Sequence, residues 1–379
     1  MPLNSMMRMK NKCAILTAFD PYSFKGGIET YTQQLVSLLQ RTGVAVDIYH
    51  TEHLPKAELE DGEAPSLRSP FLQKLYRLGR SFYWVDHLYD FVIAHTFFGF
   101  SYTPPRIPAF TVLHSTHVQY AEDNRTLFSP EWFFEVRSLF GFGAERLSTV
   151  GKKVIAVSEG VASEAREHYA AQEVYPVLTG VDRTIFFPRT DRAALREKFG
   201  VPRDAFVGVF LARWDLDKAL DVLKSVMART PEVFWLLVLG TGAPCPLQQS
   251  ATIKILEGLA QQEVAEALSL ADFLFHPARY EGFGLAIVEA LACGLPVIAA
   301  PVGVMRMVGK EQPFLSLLLP SYAESRGYVI DKAVAAIARL HREKDLALAF
   351  HVAGPAFIQE YFDHQRWETA ILTTLGVPA

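Results

Sequence analysis

Three scarcities narrow the classes of protein to which this 379-residue chain can belong. It has only three cysteines, Cys13, Cys245 and Cys293, which lie far apart in apolar or proline-flanked sequence. They show no metal-ligand spacing, and a disulfide framework is not expected in a chain of this length. No apolar run reaches the roughly 18 residues that span a bilayer, and the N-terminal stretch lacks the apolar core of a signal peptide. We therefore expect a soluble protein of the reducing cytosol.

An excess of basic residues is also missing, because 37 Lys and Arg stand against 41 Asp and Glu for a net charge of −4. A nucleic-acid-binding surface usually shows as a basic excess, so no nucleic-acid partner is expected. Apolar side chains are plentiful at 50% of the residues, which is enough for packed cores. The length favours about two domains.

Short β-branched runs alternate with longer helical ones along the whole chain, which is typical of parallel α/β sheets. Near residue 188 a polar stretch with several glycines and prolines interrupts this alternation. We predict two doubly wound domains with ligands at the carboxyl ends of their strands and in the cleft between them. Residues 356–379 predict a further helix that leaves the second domain. The predicted strands are 13–19, 45–49, 91–95, 109–114 and 153–158, then 206–212, 234–240, 253–256, 273–277 and 296–301.

A glycine pair follows the first predicted strand in "FDPYSFKGGIETYTQQL", with a helix expected to open near Glu29. Gly26 and Gly27 at a strand-to-helix turn let the backbone approach a ligand closely, and a helix N-terminus favours anions. A plain tight turn explains the same residues, so the pair alone leaves both interpretations open.

Two histidines stand at the end of the predicted strand 109–114, in "FTVLHSTH". His114 lies at the carboxyl end, where it can serve a ligand as a hydrogen-bond donor or a base. His117 lies just beyond it, and we interpret it as a surface histidine in a loop.

Two cations follow the strand 206–212 in "FLARWDLDKALDVL". Arg213 and Lys218 can neutralise a diphosphate leaving group, which has few other means of stabilisation. Asp215 and Asp217 in the same stretch form a D-x-D pair that can hold a divalent metal beside phosphates. So short an acidic pattern also arises by chance.

The stretch "DFLFHPARYEGFGLAIVEALACG" predicts a strand, a loop and a helix. Backbone N–H groups of Phe283, Gly284 and Leu285 at the helix N-terminus form an anion site that needs no side chain. Glu281 precedes them, and Glu289 lies about one turn inside an otherwise apolar helix. Carboxylates accept hydrogen bonds from vicinal hydroxyls, so one acid suits a sugar and the other a ribose. The alternative is a loop acid and a solvent-facing helix acid.

These stretches together resemble the retaining GT-B glycosyltransferases with an E-x7-E motif, the large family that includes lipopolysaccharide glucosyltransferases and lipid-glycan mannosyltransferases. The motif corresponds to "EGFGLAIVEALACGLPVIA", and similarity extends over about residues 13–370. The other matching stretches occur in the family's order: "KGGIET", "FTVLH", "VIAVSEGVASEARE", "LTGVDRTIFFP", "ARWDLDK" and "LSLADFLFHPARYEGFG".

The resemblance implies a role for each matching site residue. Arg213 and Lys218 bind the donor diphosphate, and Glu281 contacts the transferred sugar with help from the N–H groups of residues 283–285. Glu289 holds the nucleotide ribose. Gly27 admits the diphosphate, and His114 lies beside the transferred sugar.

The resemblance also implies a domain plan and a reaction. Residues 1–188, with a C-terminal helix 356–379 that crosses back through Trp367, form an acceptor-binding domain, and residues 189–355 bind the donor. The donor is a UDP-, GDP- or dTDP-sugar, and no cofactor or metal is implied. A hexosyl unit passes to a saccharide or lipid-linked saccharide with retention of configuration, in the synthesis of cell-surface polysaccharide or lipopolysaccharide.

Three positions depart from the family pattern. Ala212 and Ala219 replace the usual glycines beside the two cations, and Thr179 replaces the usual asparagine of an "NGVD" stretch. The added methyl groups are expected to crowd the diphosphate loop. Alternatives therefore stay open: a related epimerase or phosphorylase, or a weakly active or non-catalytic partner subunit of the same fold.

The segment 68–84 combines basic and aromatic residues in an amphipathic pattern. Such a helix can lie on an anionic membrane surface, which would suit a lipid-linked acceptor. An ordinary domain helix that packs its apolar side inward has the same pattern. We expect a cytoplasmic protein, with the inner face of the plasma membrane as the surface this segment would contact. The basic residues are Arg68, Lys74, Arg77 and Arg80.

Overall fold

A computed structural model describes residues 12–24, 26–54, 69–240, 242–311 and 316–378. These residues form two compact units, each built on a six-stranded sheet in which every strand pair is parallel. The first unit comprises the chain up to Glu122, Phe128–Leu178 and the segment from Trp367, and the second comprises Asp123–Leu127 and Thr179–Arg366. The predicted α/β class with two doubly wound sheets is confirmed.

The sheet of the first unit has the strand order β2-β1-β3-β4-β5-β6. Successive strands move outward on one side of β1 and then, from β3, on the other, so the switch point lies between β1 and β3. The carboxyl ends of these two strands are the expected ligand edge. The six strands are β1 (Lys12–Leu16), β2 (Ala45–Tyr49), β3 (Phe91–His95), β4 (Ala109–Leu113), β5 (Lys153–Ala156) and β6 (Val174–Pro176).

Helices cover this sheet and connect its strands. A π-helical segment, Glu135–Glu145, follows directly after the helix Pro130–Phe134. The helices are α1 (Gly27–Arg41), α2 (Pro70–Phe82), α3 (His117–Asp123), α4 (Pro130–Phe134), α5 (Arg146–Thr149) and α6 (Glu159–Tyr169).

The sheet of the second unit has the order β12-β11-β10-β7-β8-β9, with its switch point between β7 and β10. Its strands are rich in aromatic and branched apolar residues because both faces are covered. Trp235, Phe273 and Phe275 lie in one cluster of fully buried rings. The strands are β7 (Phe206–Ala212), β8 (Val233–Leu239), β9 (Ile253–Glu257), β10 (Phe273–His276), β11 (Val297–Ala299) and β12 (Ser316–Leu318).

The helices of the second unit alternate with these strands, and two long ones follow the last strand. They are α7 (Arg192–Lys198), α8 (Leu220–Arg229), α9 (Gln261–Leu270), α10 (Leu285–Ala292), α11 (Met305–Glu311), α12 (Arg326–Arg342) and α13 (Lys344–Tyr361). In the part of the chain described, no helix is both long enough and apolar enough to cross a bilayer.

The strands β6 and β12 are absent from the sequence prediction. Both are three-residue edge strands, and β6 ends in a proline, which cannot donate to a ladder. The β6 segment presents no apolar run of the length that distinguishes a strand, whereas β12 belongs to the apolar stretch FLSLLL of residues 314–319, which the sequence prediction did not select.

The prediction of one helix from residue 356 is wrong. Gly354 and Pro355 lie inside α13, and the chain breaks at Phe362 before α14 (His364–Leu375) begins. Asp363 marks the start of α14, because its side chain accepts a hydrogen bond from the backbone N–H of Gln365 at 2.9 Å. The segment from Trp367 belongs to the first unit, so the chain does return there.

The structure divides the units between residues 178 and 179 and between residues 366 and 367. The sequence interpretation placed these two boundaries at residues 188 and 356. The acceptor and donor roles assigned to the two domains stay predictions.

The helix α2 places its apolar stripe in the core of the first unit. Leu72, Leu75, Leu78 and Phe82 recur every three or four residues and are at most 4% exposed. The inward-packing interpretation of segment 68–84 therefore holds for this stripe. Arg68 lies outside the described residues. Lys74, Arg77 and Arg80 are exposed on the other side of the helix, and Trp84 follows it.

Candidate active site

The residues of the second unit that were predicted to bind phosphate and sugar follow β7 and β10. These two strands flank the switch point of its sheet. Arg213 comes directly after β7 and Glu281 follows β10. Because parallel strands end at one edge of a sheet, two loops that are distant in sequence meet here. The backbone N–H of Arg279 donates to the carbonyl of Asp217 at 2.8 Å and joins these loops.

A buried charge cluster occupies this meeting point. Lys218 Nζ lies 2.7 Å from Glu281 Oε1 and 3.0 Å from Asp217 Oδ2. His276 Nε2 lies 3.1 Å from the same Glu281 oxygen. The side chains of Lys218 and Glu281 are only 13% and 17% exposed. Lys218 and Glu281, 63 residues apart in sequence, are thus in direct contact, and the sequence analysis did not predict this ion pair.

Both members of this pair are ionised at neutral pH. Burial disfavours the charged form of Lys218, but the carboxylates of Glu281 and Asp217 outweigh it and raise the pKa of the ammonium. Burial likewise disfavours ionised Glu281, but Lys218 and His276 outweigh it and hold the pKa of the carboxyl far below its usual range. The pair is a fixed positive and negative charge in a partly desolvated pocket.

Arg213 is more accessible than Lys218. Its guanidinium lies 3.2 Å from Asp215 Oδ2, and its side chain is 46% exposed. Each acid of the D-x-D pair therefore lies against a cation, Asp215 on Arg213 and Asp217 on Lys218. Within the described ranges, no group of three His, Cys, Asp or Glu side chains is arranged to hold a metal ion. Metal independence stays a prediction.

The helix α10 begins beside Glu281 with an open N-terminus. Gly284 is its N-cap residue and has φ of +98°, a conformation that favours glycine. No acceptor among the described residues receives the backbone N–H of Phe283, Gly284 or Leu285. The turn is tight, because a Cβ added at Gly303 would lie 2.3 Å from the Phe283 carbonyl oxygen. The three N–H groups are therefore available to an anion.

Glu289 lies one turn inside α10 and is partly buried. Burial raises the pKa of its carboxyl from its ordinary value to about 7. Its carboxylate has no side-chain partner among the described residues, so nothing there offsets the desolvation. A ligand that donates hydrogen bonds, such as a pair of ribose hydroxyls, would stabilise the ionised form.

The structure places the two alanines beside the cations in different surroundings. Ala219 has φ of +53° and ψ of +49°, the left-handed conformation in which glycine is favoured. Its side chain is fully buried in the core of the second unit. This burial argues against crowding of the diphosphate loop by the Ala219 methyl group, and the expectation stays untested there. Ala212, at the end of β7, is partly exposed. The expectation that its methyl group crowds the diphosphate loop therefore stays a prediction.

In the first unit, α1 begins at Gly27 rather than near Glu29, so Gly27 is its first residue. Gly26 is the N-cap and is extended. A Cβ added there would lie 2.5 Å from Glu29 Oε2. This atom is the end of a flexible side chain, so the contact does not by itself require glycine at position 26, and the role of Gly27 toward a ligand stays a prediction.

His114 lies at the end of β4, where it was predicted, and contacts a second histidine that the sequence analysis did not select. His114 Nε2 lies 2.9 Å from Nδ1 of His95, the last residue of the neighbouring strand β3. His95 is fully buried, and its Nε2 lies 3.1 Å from Thr32 Oγ1 in α1. Adjacent predicted strands that each end in histidine, "FVIAH" and "AFTVLH", were the available signal.

These two histidines are neutral. Burial lowers the pKa of His95 to about 3. Burial, followed by the proximity of His95, lowers the pKa of His114 far below its usual range. The ring of Tyr31 packs edge-on to His114 at a centroid distance of 4.9 Å and to Trp367 at 5.4 Å.

The interpretation of His117 as a surface histidine in a loop is wrong. It begins α3, its backbone N–H donates to Glu145 Oε2 at 2.7 Å, and its ring Nδ1 lies 3.1 Å from the same oxygen. The Glu145 carboxylate is fully buried, so the contact fixes the start of the helix. His117 is therefore structural.

Comparison with known proteins finds a family model for each of two parts of the chain. The family model for glycosyl transferases group 1 matches residues 191–322, and the model for glycosyltransferase family 4 matches residues 25–185. A D-inositol 3-phosphate glycosyltransferase of Mycobacteroides abscessus is 26% identical, covering 89% of this chain and 84% of that protein. The protein of the same name from Xylanimonas cellulosilytica is 33% identical over 41% of this chain and 44% of its own length.

Solved structures share the fold at low sequence identity. Sucrose-phosphate synthase from Thermosynechococcus elongatus superposes with a TM-score of 0.77 at 20% identity, covering 97% of this chain and 98% of that one. Anabaena HepE in complex with UDP-glucose gives a TM-score of 0.70 at 20% identity, with coverage of 96% and 99%. WaaG, a glycosyltransferase involved in lipopolysaccharide biosynthesis, gives 0.69 at 16% identity, with coverage of 96% and 99%. The chain belongs to the GT-B glycosyltransferases of the family 4 type.

Proposed function

We propose that this protein transfers a hexosyl unit from a nucleotide-diphosphate sugar to an acceptor with retention of anomeric configuration. The observation that carries the proposal is the buried Lys218–Glu281 pair beside the open N-terminus of α10. It places a cation, an acid that can accept hydrogen bonds from sugar hydroxyls, and N–H groups without a described acceptor at the meeting point of two loops. The cation and the N–H groups suit the diphosphate of a nucleotide sugar, and the acid suits the hydroxyls of its sugar.

Each part of the donor has a partner in this proposal. Lys218 and Arg213 bind the diphosphate, and the N–H groups of residues 283–285 add hydrogen bonds to it or to the sugar. Glu281 accepts hydrogen bonds from hydroxyls of the transferred sugar, and Glu289 accepts them from the ribose. In the first unit, Gly27 and His114 complete the set of residues carried over from the family.

The charges around Lys218 determine what else a bound diphosphate requires. In the free protein its ammonium is shared between Glu281 and Asp217, so one cation faces two anions. A diphosphate adds further negative charge, which Arg213 and the positive end of the α10 dipole must offset. Arg213 can turn from Asp215 to the ligand, because its side chain is half exposed.

The proposed mechanism is electrostatic. Glu281 is held by Lys218 and His276, which fixes it as a hydrogen-bond acceptor rather than freeing it as a nucleophile. Departure of the nucleoside diphosphate develops negative charge that the two cations and the N–H groups stabilise. The acceptor hydroxyl then attacks from the same face of the oxocarbenium-like sugar and passes its proton to an oxygen of the departing diphosphate, so the configuration is retained.

For the acceptor we propose a saccharide or lipid-linked saccharide of cell-surface polysaccharide or lipopolysaccharide synthesis. The relatives named D-inositol 3-phosphate glycosyltransferases favour a second candidate, a phosphorylated cyclitol. An epimerase, a phosphorylase or a non-catalytic subunit would share the fold. The intact Lys218–Glu281 pair argues against the non-catalytic alternative.

A panel assay separates these functions. The protein is incubated with UDP-, GDP- and dTDP-sugars in the presence of saccharide acceptors, D-inositol 3-phosphate or water alone. Transfer to an acceptor supports the proposal, and the anomeric proton coupling of the first product reports its configuration. Epimerised donor, phosphate-dependent release of sugar phosphate, or no reaction with any donor would each contradict it. Full activity in EDTA would support metal independence.

Two variants test the site within that assay. Lys218→Ala and Glu281→Gln are expected to lower kcat at least about 100-fold, since each removes a preorganised charge contact. Exposed residues of the same unit, in Lys332→Ala and Glu324→Gln, provide matched controls. Wild-type turnover in either site variant would overturn the assignment.

We further propose a cytoplasmic location with contact to an anionic membrane through the polar side of α2. Lys74, Arg77 and Arg80 are exposed there, and Trp84 is 64% exposed just beyond the helix. Surface cations attract anionic lipids, and tryptophan favours the membrane interface. Because the apolar stripe of α2 is buried, binding is expected to be electrostatic and sensitive to salt.

A further inference from the structure

We propose that His95 is a positioning residue that holds His114 as its Nε2–H tautomer, so that His114 offers a ring lone pair to a hydroxyl of the transferred sugar. The inference rests on the proposed function for its ligand, while the arrangement of protons follows from contacts within the first unit. It goes beyond the family assignment, which gives no role to His95.

The hydrogen-bond chain starts at α1 and has one direction. The single hydroxyl proton of Thr32 is donated to the carbonyl of Ile28 at 2.7 Å. The oxygen of Thr32 must therefore act as acceptor toward His95 Nε2, 3.1 Å away. His95 consequently carries its proton on Nε2.

Neutral His95 then has a lone pair on Nδ1, because a neutral imidazole has one protonated and one unprotonated nitrogen. Neutrality follows from its position, fully buried with a threonine and a histidine as its polar contacts. The Nδ1 of His95 lies 2.9 Å from His114 Nε2, which must donate. His114 is thus protonated on Nε2 and unprotonated on Nδ1.

The Nδ1 atom of His114 is the open end of this chain. It has no hydrogen-bond partner among the described residues, and the His114 side chain is partly exposed. A lone pair at this point accepts a hydrogen bond from a hydroxyl but cannot donate one. The Tyr31 ring packs against His114 and restrains its orientation.

The chemical consequence is selectivity for a group that donates. A sugar hydroxyl meets this requirement, whereas hydrogen or fluorine at the same carbon does not. Once a bound donor excludes solvent from this oriented acceptor, a ligand that leaves it unpaired is strongly disfavoured. His114 therefore favours donors with a free hydroxyl at the position that it contacts.

The first test measures the tautomer directly and needs no substrate. Long-range 1H–15N correlation spectra of 15N-histidine-labelled protein distinguish the protonated from the unprotonated ring nitrogen, with His114→Phe to assign the signals. We expect Nε2–H for His114 in the wild type and in His95→Asn, whose amide oxygen can replace the Nδ1 acceptor. His95→Leu removes that acceptor and is expected to give a mixture of tautomers. An Nδ1–H tautomer in the wild type, or an unchanged tautomer in His95→Leu, would overturn the proposal.

The second test is kinetic, using the donor identified by the panel assay and its singly deoxygenated and deoxyfluorinated analogues. His95→Leu is expected to lower kcat at least tenfold, with KM changed less than threefold, and His95→Asn to restore kcat to within threefold of wild type. One position should lose at least tenfold in kcat/KM with both hydrogen and fluorine, and that loss should vanish in His114→Phe. Equal damage in both His95 variants would indicate a merely structural role, and tolerance of fluorine at every position would contradict the lone-pair contact. Failure of all donors to react would instead overturn the proposed function, while the spectra still decide the tautomer.

Discussion

Lys218 and Glu281 form an ion pair in which each member keeps a second partner, Asp217 for the lysine and His276 for the glutamate. Removal of one member therefore leaves the other charge buried but not isolated. We expect Lys218→Met or Glu281→Gln alone to lower the free energy of unfolding of the second unit by about 1–3 kcal/mol, less than for an isolated buried pair.

The double variant Lys218→Met/Glu281→Gln is expected to lose less stability than the two single losses combined, because it leaves neither charge without its mate. Urea unfolding of the four proteins measures this coupling. Strict additivity would show that the two side chains do not interact in solution.

The pKa of Glu289 predicts a pH-dependent affinity for the nucleotide. Burial raises its pKa from 4.5 to about 7, so the carboxyl is half protonated at neutral pH. Ribose hydroxyls bind best to the ionised form, so affinity for UDP or the preferred nucleoside diphosphate should increase as the pH rises from 6 to 8. With a pKa near 7, the increase is about tenfold at most.

Calorimetric titration of wild type and Glu289→Gln measures this dependence. Ionisation of the diphosphate itself affects both proteins equally, so only the difference between them reports on Glu289. In the free protein the sign is opposite: the stability contributed by the raised pKa is present below pH 4.5 and is lost as the pH rises through about 7. Equal slopes in the two proteins would remove Glu289 from the ribose site.

Buried His95 predicts a loss of stability in acid. Its pKa falls from 6.5 to about 3 through burial, so the unfolded chain takes up a proton in a range where the folded protein does not. The contribution is fully present above pH 6.5 and is lost as the pH falls toward 3, about 2 kcal/mol of it between pH 6.5 and 5. The groups that contact the ring, Thr32, His114 and Tyr31, include no carboxylate that would favour its charge.

His95→Asn removes this titration and keeps the acceptor. Urea unfolding at pH 7 and pH 5 is therefore expected to show a steeper loss in the wild type than in the variant. A parallel decline of the two proteins would contradict a neutral, buried His95.

The segment that returns to the first unit is anchored by Trp367. Its ring is 1% exposed and packs on Tyr31 at 5.4 Å, and the neighbouring Glu368 pairs with Arg41 at 2.5 Å. Trp367→Ala should destabilise the first unit by about 3–5 kcal/mol, as for other buried large-to-small changes. Trp132→Ala is the control, because that ring is 44% exposed and should cost far less. Similar thermal unfolding of both variants would refute the anchoring role.

The sequence alone predicted an element correctly where its local pattern agreed with the tertiary packing. The strands β2, β3 and β7 have the predicted bounds, and the run of β3 is bounded by polar residues on both sides, Asp90 and Thr96. The E-x7-E region was found because Glu289 conflicts with an apolar helix, and such conflicts occur at functional sites.

Other features depend on contacts that no local pattern contains. Asp217 looked like half of a metal pair, but its carboxylate lies 3.0 Å from Lys218 Nζ, which in turn contacts Glu281, 63 residues further along the chain. His95 looked like the end of a buried strand, and only the pairing of β3 with β4 makes it the partner of His114. Pro355 predicted a helix boundary, yet α13 continues through it.

The left-handed conformation of Ala219 predicts what restoring glycine would do. Relief of the strained backbone favours glycine by about 1–2 kcal/mol, and the greater freedom of glycine in the unfolded chain offsets about 0.4–1 kcal/mol of that. At Ala219 the lost burial of a methyl group costs about 0.8 kcal/mol more, so Ala219→Gly should be nearly neutral. Ala170 has φ of +53° at the exposed C-cap of α6, where no burial is lost, so Ala170→Gly should be stabilising by about 0.5–1 kcal/mol. Urea unfolding measures both changes.

Because the Ala219 methyl group is buried in the core, Ala219→Gly should leave the KM for the donor within twofold of wild type. A larger fall in KM would support the view that this methyl group crowds the diphosphate.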